Sequence, residues 1–308
     1  MSAPEVCPLC DGPLRRTRVR AYDRLVTGEG PFGVSECPAC RYGITVPQLS
    51  GAELGPYYAD SYYEDFYEHT GGSGSGPLHR LRQLLRRRGA EGRWRRPPFQ
   101  LDGVEPGRVL EVGCGAGELL AQFAARGWET YGLDPSAAAT AAAARRGARV
   151  HTGTLDDQPW ERGSFQLVVF QHSLEHIPDP VAAVRTAAEL LAPGGTLLVD
   201  VPNWASWQRH LFRNRWFILD LPRHLQHFSP QALTRLGQRL DLHVHGVGTN
   251  SNAIATAYSV HYLIAGRWTP GWKLWLAYGL SLPLLPFVFL GDRLGGGDSC
   301  YAVMTRPA

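Results

Sequence analysis

The stretch VLEVGCGAGELL, residues 109–120, decides the fold. An apolar run, 109–112, reads as a short strand. Gly113, Gly115 and Gly117 then crowd one turn, and a helix is predicted from Glu118. Glycines at a strand-to-helix turn let backbone approach a ligand closely, beside the positive N-terminal end of the helix. Asp134 closes the next strand 21 residues after Gly113. An acid at that position can accept hydrogen bonds from both hydroxyls of a ribose. A dinucleotide-binding G-x-G-x-x-G would place its third glycine at 118, where this chain has Glu118.

Outward from this loop, short β-rich runs alternate with helical ones. Strands are expected at 108–112, 129–133, 149–152, 165–170 and 196–201, with helices at 118–126, 136–146 and 179–191. That alternation implies an α/β fold, a Rossmann-like doubly wound parallel sheet with helices on both faces. A further helix should start at Ser229-Pro230, since serine caps and proline suits the first turn. A last strand is expected at 300–305.

The pattern Glu111-x-Gly113-x-Gly115-x-Gly117 resembles motif I of the class I S-adenosylmethionine-dependent methyltransferases. The likeness extends through GLDPS at 132–136, GTLDD at 153–157, FQLVVFQHSLEHIPDP at 165–180 and LLAPGGTLLVDVPN at 190–203. The resemblance implies that Glu111 and the glycines, with Cys114 as a small filler between them, hold the methionine end of S-adenosylmethionine. It implies that Asp134 binds the ribose, and that Leu155 (through its backbone) and Asp156 read the adenine edge. Gln171 and His172 would face the methionine portion and the acceptor. Glu118 and the Pro193-Gly194-Gly195 turn disfavour an NAD-dependent dehydrogenase.

Residues 1–50 carry Cys7-Pro-Leu-Cys10 and Cys37-Pro-Ala-Cys40, separated by 26 residues. Two such knuckles can present four thiolates tetrahedrally to a structural Zn2+ as a zinc ribbon. Residues 51–98 follow as a lid and linker. They contain Tyr57, Tyr58, Tyr62, Tyr63 and Tyr67, a GGSGSGP linker from Gly71, and the run LHRLRQLLRRR at 78–88. That run reads as an amphipathic helix with Leu78, Leu81, Leu84 and Leu85 on one stripe. Its arginines could attract anionic lipid or a phosphorylated carrier. A ribbon followed by paired tyrosines also resembles the N-terminal segment of small-molecule and sugar methyltransferases of biosynthetic clusters, where it helps cover the active site. Residues 99–308 would then form the methyltransferase domain.

A zinc ribbon beside arginines also admits a nucleic-acid-binding protein or an RNA methyltransferase. No aromatic platforms interleave with the basic residues, so nucleic acid is disfavoured. The net charge of +3 excludes a generic polycation, and a 44% hydrophobic content supports a buried core. The 35 glycines and 23 prolines argue against long helical bundles. No secretory signal is visible at the N-terminus, so a reducing cytoplasmic compartment is expected, with peripheral contact at the inner membrane face as an option.

Transfer from a sulfonium to an oxygen or carbon requires alignment and a proton acceptor, and histidine is the natural base near neutral pH. His172, His176, His224 and His227 are the candidates. The spacing of His224 and His227 would put both on one face of a helix. Residues 274–291 are 18 uncharged residues interrupted by Pro283 and Pro286. They predict an apolar helical hairpin at about 253–294, inserted before the last strand, rather than a membrane span. Trp268, Trp272, Trp275 and Tyr278 would suit an interface. Such a hairpin could serve a lipid-linked or carrier-linked small-molecule substrate, a membrane surface or a homodimer.

Overall fold

A computed structural model describes residues 5–58, 104–269 and 271–307. The expectations for Tyr62, Tyr63 and Tyr67, the linker and the arginine run fall outside the described residues.

The elements in chain order are β1 (Arg15–Ala21), β2 (Phe32–Glu36), β3 (Gly43–Val46), α1 (Gly51–Leu54), β4 (Arg108–Val112), α2 (Glu118–Ala124), β5 (Glu129–Asp134), α3 (Ala137–Arg145), β6 (Arg149–Thr152) and β7 (Phe165–Gln171). There follow α4 (Pro180–Leu190), β8 (Leu191–Pro202), α5 (Trp207–Phe212), β9 (Gln226–His227), α6 (Pro230–Arg239), β10 (His243–Asn250), α7 (Ala253–Ala265), α8 (Trp272–Ser281), α9 (Leu285–Arg293) and β11 (Ser299–Thr305).

Seven strands form the main sheet in the order β10-β11-β8-β7-β4-β5-β6. Strands β6, β5, β4, β7 and β8 pair in parallel, while β11 runs antiparallel between β8 and β10. The continuous apolar runs of β7 and β8 are buried, as parallel strands covered on both faces require. Helix starts follow their caps. Ser136 accepts from the Ala139 N–H, Asp179 from Ala182 and Ser229 from Ala232, and Pro180 and Pro230 open their helices.

The cysteine-bearing segment builds a second, antiparallel sheet in the order β1-β2-β3-β9. Its fourth strand, Gln226–His227, comes from the part of the chain that follows the main sheet's β8, with Gly43 opposite His227 and Ile44 opposite Gln226. This corrects the helical reading of His224 and His227: the segment is extended and pairs across the seam. The Thr45 N–H donates to the Leu225 carbonyl at 2.9 Å, and the Ser229 hydroxyl donates to the Cys40 carbonyl at 3.0 Å. Tyr42 donates to the Gln226 amide oxygen. Arg223, fully buried, donates to Asp23 at 2.8 Å and to Asp220 at 3.0 Å. Cys7, Cys37, Cys40 and Tyr42 share one buried cluster with Val168, Val199, Phe228 and Leu233. The cysteine segment therefore shares the core of the α/β sheet.

The insertion before β11 is also divided. α7 is a core helix, buried from Ala255 through Tyr262. Trp268 is buried with it against Phe217 and Tyr258, so it is not the surface aromatic that the sequence suggests. Within the insertion, α7 exposes only Leu263 among its large apolar side chains, whereas α8 and α9 leave several exposed. With the turn between them, residues 272–293 form the one helical run among the described residues long and apolar enough to cross a membrane.

Candidate functional site

β4 ends in the glycine loop. Gly113, Gly115 and Gly117 all have positive φ, at 74°, 49° and 78°. At Gly113 the need is doubled, because a Cβ there would collide with the Cβ of Ser173. The Gly113 and Cys114 N–H groups donate to the Leu133 carbonyl, which ties the loop to the end of β5. Asp134, last in β5, accepts from the Gly115 N–H and the Ser136 N–H, both at 2.9 Å. Its carboxylate is thus fixed at the loop with lone pairs to spare. Cys114 is buried, and its sulfur fills the space above Gly132; burial pushes its thiol up to about 12. Its side chain packs against the backbone of β5 at Gly132.

Glu111 is the unusual member. It is buried on β4, and its Oε2 has no hydrogen-bond partner. Desolvation, reinforced by the nearby Asp134 charge, raises its carboxyl well above the ordinary value. A lone buried carboxyl oxygen beside three left-handed glycines fits a ligand with a cationic or N–H-bearing end, such as the amino group of S-adenosylmethionine. Leu155 is buried while Asp156 is exposed in the turn after β6, where the Thr154 hydroxyl accepts from the Asp156 N–H. Gln171 closes β7 opposite Asp200.

Beyond Gln171 the chain turns sharply. His172 has φ 51°, uncommon for a residue with a side chain, and its N–H donates to the Asp200 carbonyl at 2.8 Å. The Ser173 hydroxyl donates to the Val112 carbonyl at 2.6 Å, locking this turn onto the glycine loop. The strained corner places three imidazoles around Glu175, which is 1% exposed and has no hydrogen-bond partner for either carboxylate oxygen. His172 Nδ1 approaches it at 3.6 Å and His224 Nε2 at 3.9 Å. His176 stacks edge-on against His224 with ring centroids 4.8 Å apart. The ligating atoms of Glu175, His176 and His224 lie within 4.8 Å of one another. Burial would protonate Glu175, but the three histidines outweigh it and lower its pKa.

The same contacts sort the imidazoles. Partial desolvation alone would lower His172, whose side chain is half exposed; the Glu175 carboxylate 3.6 Å away and the charges of Asp200 and Asp298 prevail and raise it to about 9. Burial and the neighbouring His176 lower His224 to about 4. His176 Nδ1 lies 3.0 Å from the Arg223 carbonyl and 2.9 Å from the Tyr58 hydroxyl. A carbonyl can only accept, so the proton sits on Nδ1 and Nε2 keeps its lone pair. His227 lies elsewhere. It is buried in the seam against Trp204, with Nε2 2.9 Å from the Thr45 hydroxyl, which corrects its reading as a base.

Glu175 itself was absent from the sequence-derived candidates. The available signal was the spacing His172-x-x-Glu175-His176, which gathers three polar groups in one turn.

A histidine raised on folding confers stability below its unfolded pKa, near 6.5, and loses it as pH rises through about 9. His172→Asn should therefore cost about 1 kcal/mol at pH 6, discounted because its side chain is half exposed, and almost nothing near pH 10. Urea midpoints of both proteins at the two pH values measure it. An equal cost at both would contradict the ion pair.

The cysteine centre has its own geometry. In each knuckle the residue after the second cysteine is left-handed, Asp11 at φ 57° and Arg41 at φ 59°. Its N–H donates to the carbonyl of the first cysteine at 2.9 Å in both knuckles. Sulfurs of Cys7 and Cys40, Cys10 and Cys37, and Cys10 and Cys40 lie 3.5–3.6 Å apart, and all four fall within 4.8 Å. Tetrahedral zinc with bonds of about 2.3 Å sets sulfurs roughly 3.8 Å apart, so the donor set fits the ion.

Loop, acid and strand order together define a class I S-adenosylmethionine-dependent methyltransferase. A family model described as a methyltransferase domain matches residues 78–247, more than half of the chain, and the chain belongs to that family. A ubiquinone biosynthesis O-methyltransferase of Rhodopseudomonas palustris (strain HaA2) is 28% identical over 240 residues, 73% of this chain and 90% of the relative. One of Bradyrhizobium sp. (strain ORS 278) is 30% identical over 173 residues, 52% of this chain and 68% of the relative. A geranyl diphosphate methyltransferase structure shares the fold, with a TM-score of 0.51 at 18% identity, covering 78% of this chain and 85% of that one.

Proposed function

We propose that this enzyme methylates a hydroxyl oxygen of a small biosynthetic acceptor, of the lipid-like or carrier-linked kind. The observation that carries the reading is the histidine cluster around Glu175, joined to the glycine loop through Ser173 and Gly113. The similar ubiquinone biosynthesis enzymes, O-methyltransferases by name, support oxygen as the acceptor atom.

When bound, S-adenosylmethionine supplies a methyl group on a cationic sulfur, so the protein needs mainly to align the acceptor and take its proton. Glu111 and the backbone of Gly113, Gly115 and Gly117 hold the amino-acid end, Asp134 the ribose, and Leu155 with Asp156 the adenine edge. Gln171 and His172 line the side toward the acceptor. His172, protonated at neutral pH, donates to the acceptor oxygen. His176, with its Nδ1–H fixed by the Arg223 carbonyl, takes the hydroxyl proton on Nε2, and buried Glu175 stabilises the imidazolium that forms. His224 stays neutral and packs the cluster. Zn2+ at Cys7, Cys10, Cys37 and Cys40 has a structural role, since the centre lies in the shared core.

Calorimetry with S-adenosylhomocysteine and turnover on a lipid-like acceptor that bears a hydroxyl group test this. Asp134→Ala should weaken binding about a hundredfold, the loss of two charge-assisted hydrogen bonds. His176→Asn should cut kcat about a hundredfold or more with binding retained. Full turnover by folded His176→Asn would remove it as the base. The donor set favours one second reading, a divalent cation held by Glu175, His176 and His224. Turnover abolished by a chelator and restored by magnesium or manganese would move proton removal to cation-assisted chemistry.

A further inference from the structure

We infer that α8 and α9 dock the enzyme flat on an anionic phospholipid bilayer. Helix α8 buries Leu274, Ala277 and Ser281 and turns Trp272, Trp275, Leu276 and Leu280 outward. Helix α9 continues the ridge with Phe287 and Leu290, and Leu294 follows at its C-terminal end. These outward side chains are 43–78% exposed, a contiguous apolar surface of a kind that soluble monomers seldom leave open. Two tryptophans at one end of the ridge suit the lipid headgroup level.

Charge selects the occupant. Between His243 and Gly291 the only residues of type Asp, Glu, Lys or Arg are Arg267 and Lys273, and exposed Arg293 closes the ridge. Asp292, the acid beside it, faces the sheet, where the Thr249 hydroxyl donates to its carboxylate at 3.3 Å. Neighbouring α5, whose Trp207 packs against Gly291, adds exposed Leu211, and Arg213 follows it. An apolar ridge rimmed by cations complements anionic headgroups. A twofold contact with a second copy would set the same cationic rim against itself, which costs energy.

The ridge lies on the bilayer and does not cross it. One face of α8 is packed on the protein, and the chain returns from Leu294 to β11 by Ser299. Asn250, where the insertion leaves β10, pairs with Ser299, where it rejoins the sheet. Both ends are thus held on one side. That junction lies at Pro202, the C-terminal end of β8, on the same sheet edge as the glycine loop and His172. Docking would bring the acceptor side of the site to the lipid surface, a consequence that rests on the methyltransferase reading. The docking itself does not.

The test is flotation of the full chain with vesicles of phosphatidylcholine alone and of equal parts phosphatidylcholine and phosphatidylglycerol, with S-adenosylhomocysteine binding measured in parallel. Wild type should float with the anionic vesicles and less so in high salt. The triple variant Trp272→Ser, Leu280→Ser, Phe287→Ser should lose at least about a hundredfold in partitioning. Lys273→Gln should lose about fivefold. Both should keep S-adenosylhomocysteine affinity, since none of these residues lies in the cofactor loop. Absence of flotation by wild type that binds S-adenosylhomocysteine overturns the inference, as does undiminished flotation of the triple variant. A wild-type dimer that the triple variant makes monomeric, with no flotation by either, assigns the ridge to a second copy instead. Failure of S-adenosylhomocysteine binding with flotation intact would count against the cofactor reading alone.

Discussion

Cys40→Ser is expected to unfold the enzyme as a whole and not only its N-terminal segment. Cys40 is 1% exposed, its sulfur lies 3.6 Å from those of Cys7 and Cys10, and its carbonyl accepts the Ser229 hydroxyl that also caps α6. On the structural-zinc reading proposed above, loss of one thiolate would remove a ligand, and zinc binding by such sites is folding free energy. The collapse would spread because Cys7, Cys37 and Cys40 pack in one cluster with strands of the main sheet, and because β9 belongs to the small sheet while lying between β8 and α6 in sequence. A loss on the order of 5 kcal/mol, comparable to the entire stability of many domains, is expected. Zinc content and a thermal scan check it. The variant should hold less than half an equivalent of zinc and melt in one transition shifted strongly down. An unchanged main transition beside a small early one would show that the cysteine segment folds separately.

Much of the α/β core was legible because its signals are local. The glycine loop, the acid at the end of β5 and the N-caps Ser136, Asp179 and Ser229 each sit within a few residues of what they determine. The seam was not legible for the opposite reason. Gln226–His227 is a two-residue strand whose partner, Gly43–Ile44, lies far back in the chain, and its three-residue histidine spacing imitates a helix. Strand β10 was also hidden. As an edge strand bonded only to β11, it is partly exposed along its length and includes Gly246 and Gly248, so it carries no strong alternation. Burial of Trp268 depends on Phe217 and Tyr258, which no periodicity within its own segment encodes.

The candidate site divided the same way. Glu111, the glycines and Asp134 stand in a turn whose geometry the residue types dictate. The distinction among four histidines required tertiary contacts. His227 is consumed by Thr45 and Trp204, His176 has its tautomer set by Arg223, and His172 and His224 are driven in opposite directions by the same carboxylate and its surroundings.

Glu175→Gln should be the most damaging isosteric change in the site. The carboxylate is buried, has no hydrogen-bond partner and is stabilised by His172, His176 and His224 together. Glutamine preserves the volume, so the fold should survive, but the buried charge that balances the cluster is gone. His172 would lose its strongest support, and its pKa should fall from about 9 toward the ordinary histidine value, because its partial desolvation is then opposed only by Asp200 and Asp298. At neutral pH it would no longer be a proton donor, and an imidazolium forming at His176 would have no buried counter-charge. We expect kcat to drop by about a hundred- to a thousandfold, with S-adenosylhomocysteine affinity within a few-fold of wild type. The titration of His172 in NMR spectra gives the readout that a merely structural role would leave alone. If Glu175→Gln keeps its turnover, or if His172 still titrates near 9 in the folded variant, the cluster does not perform the proton transfer assigned to it.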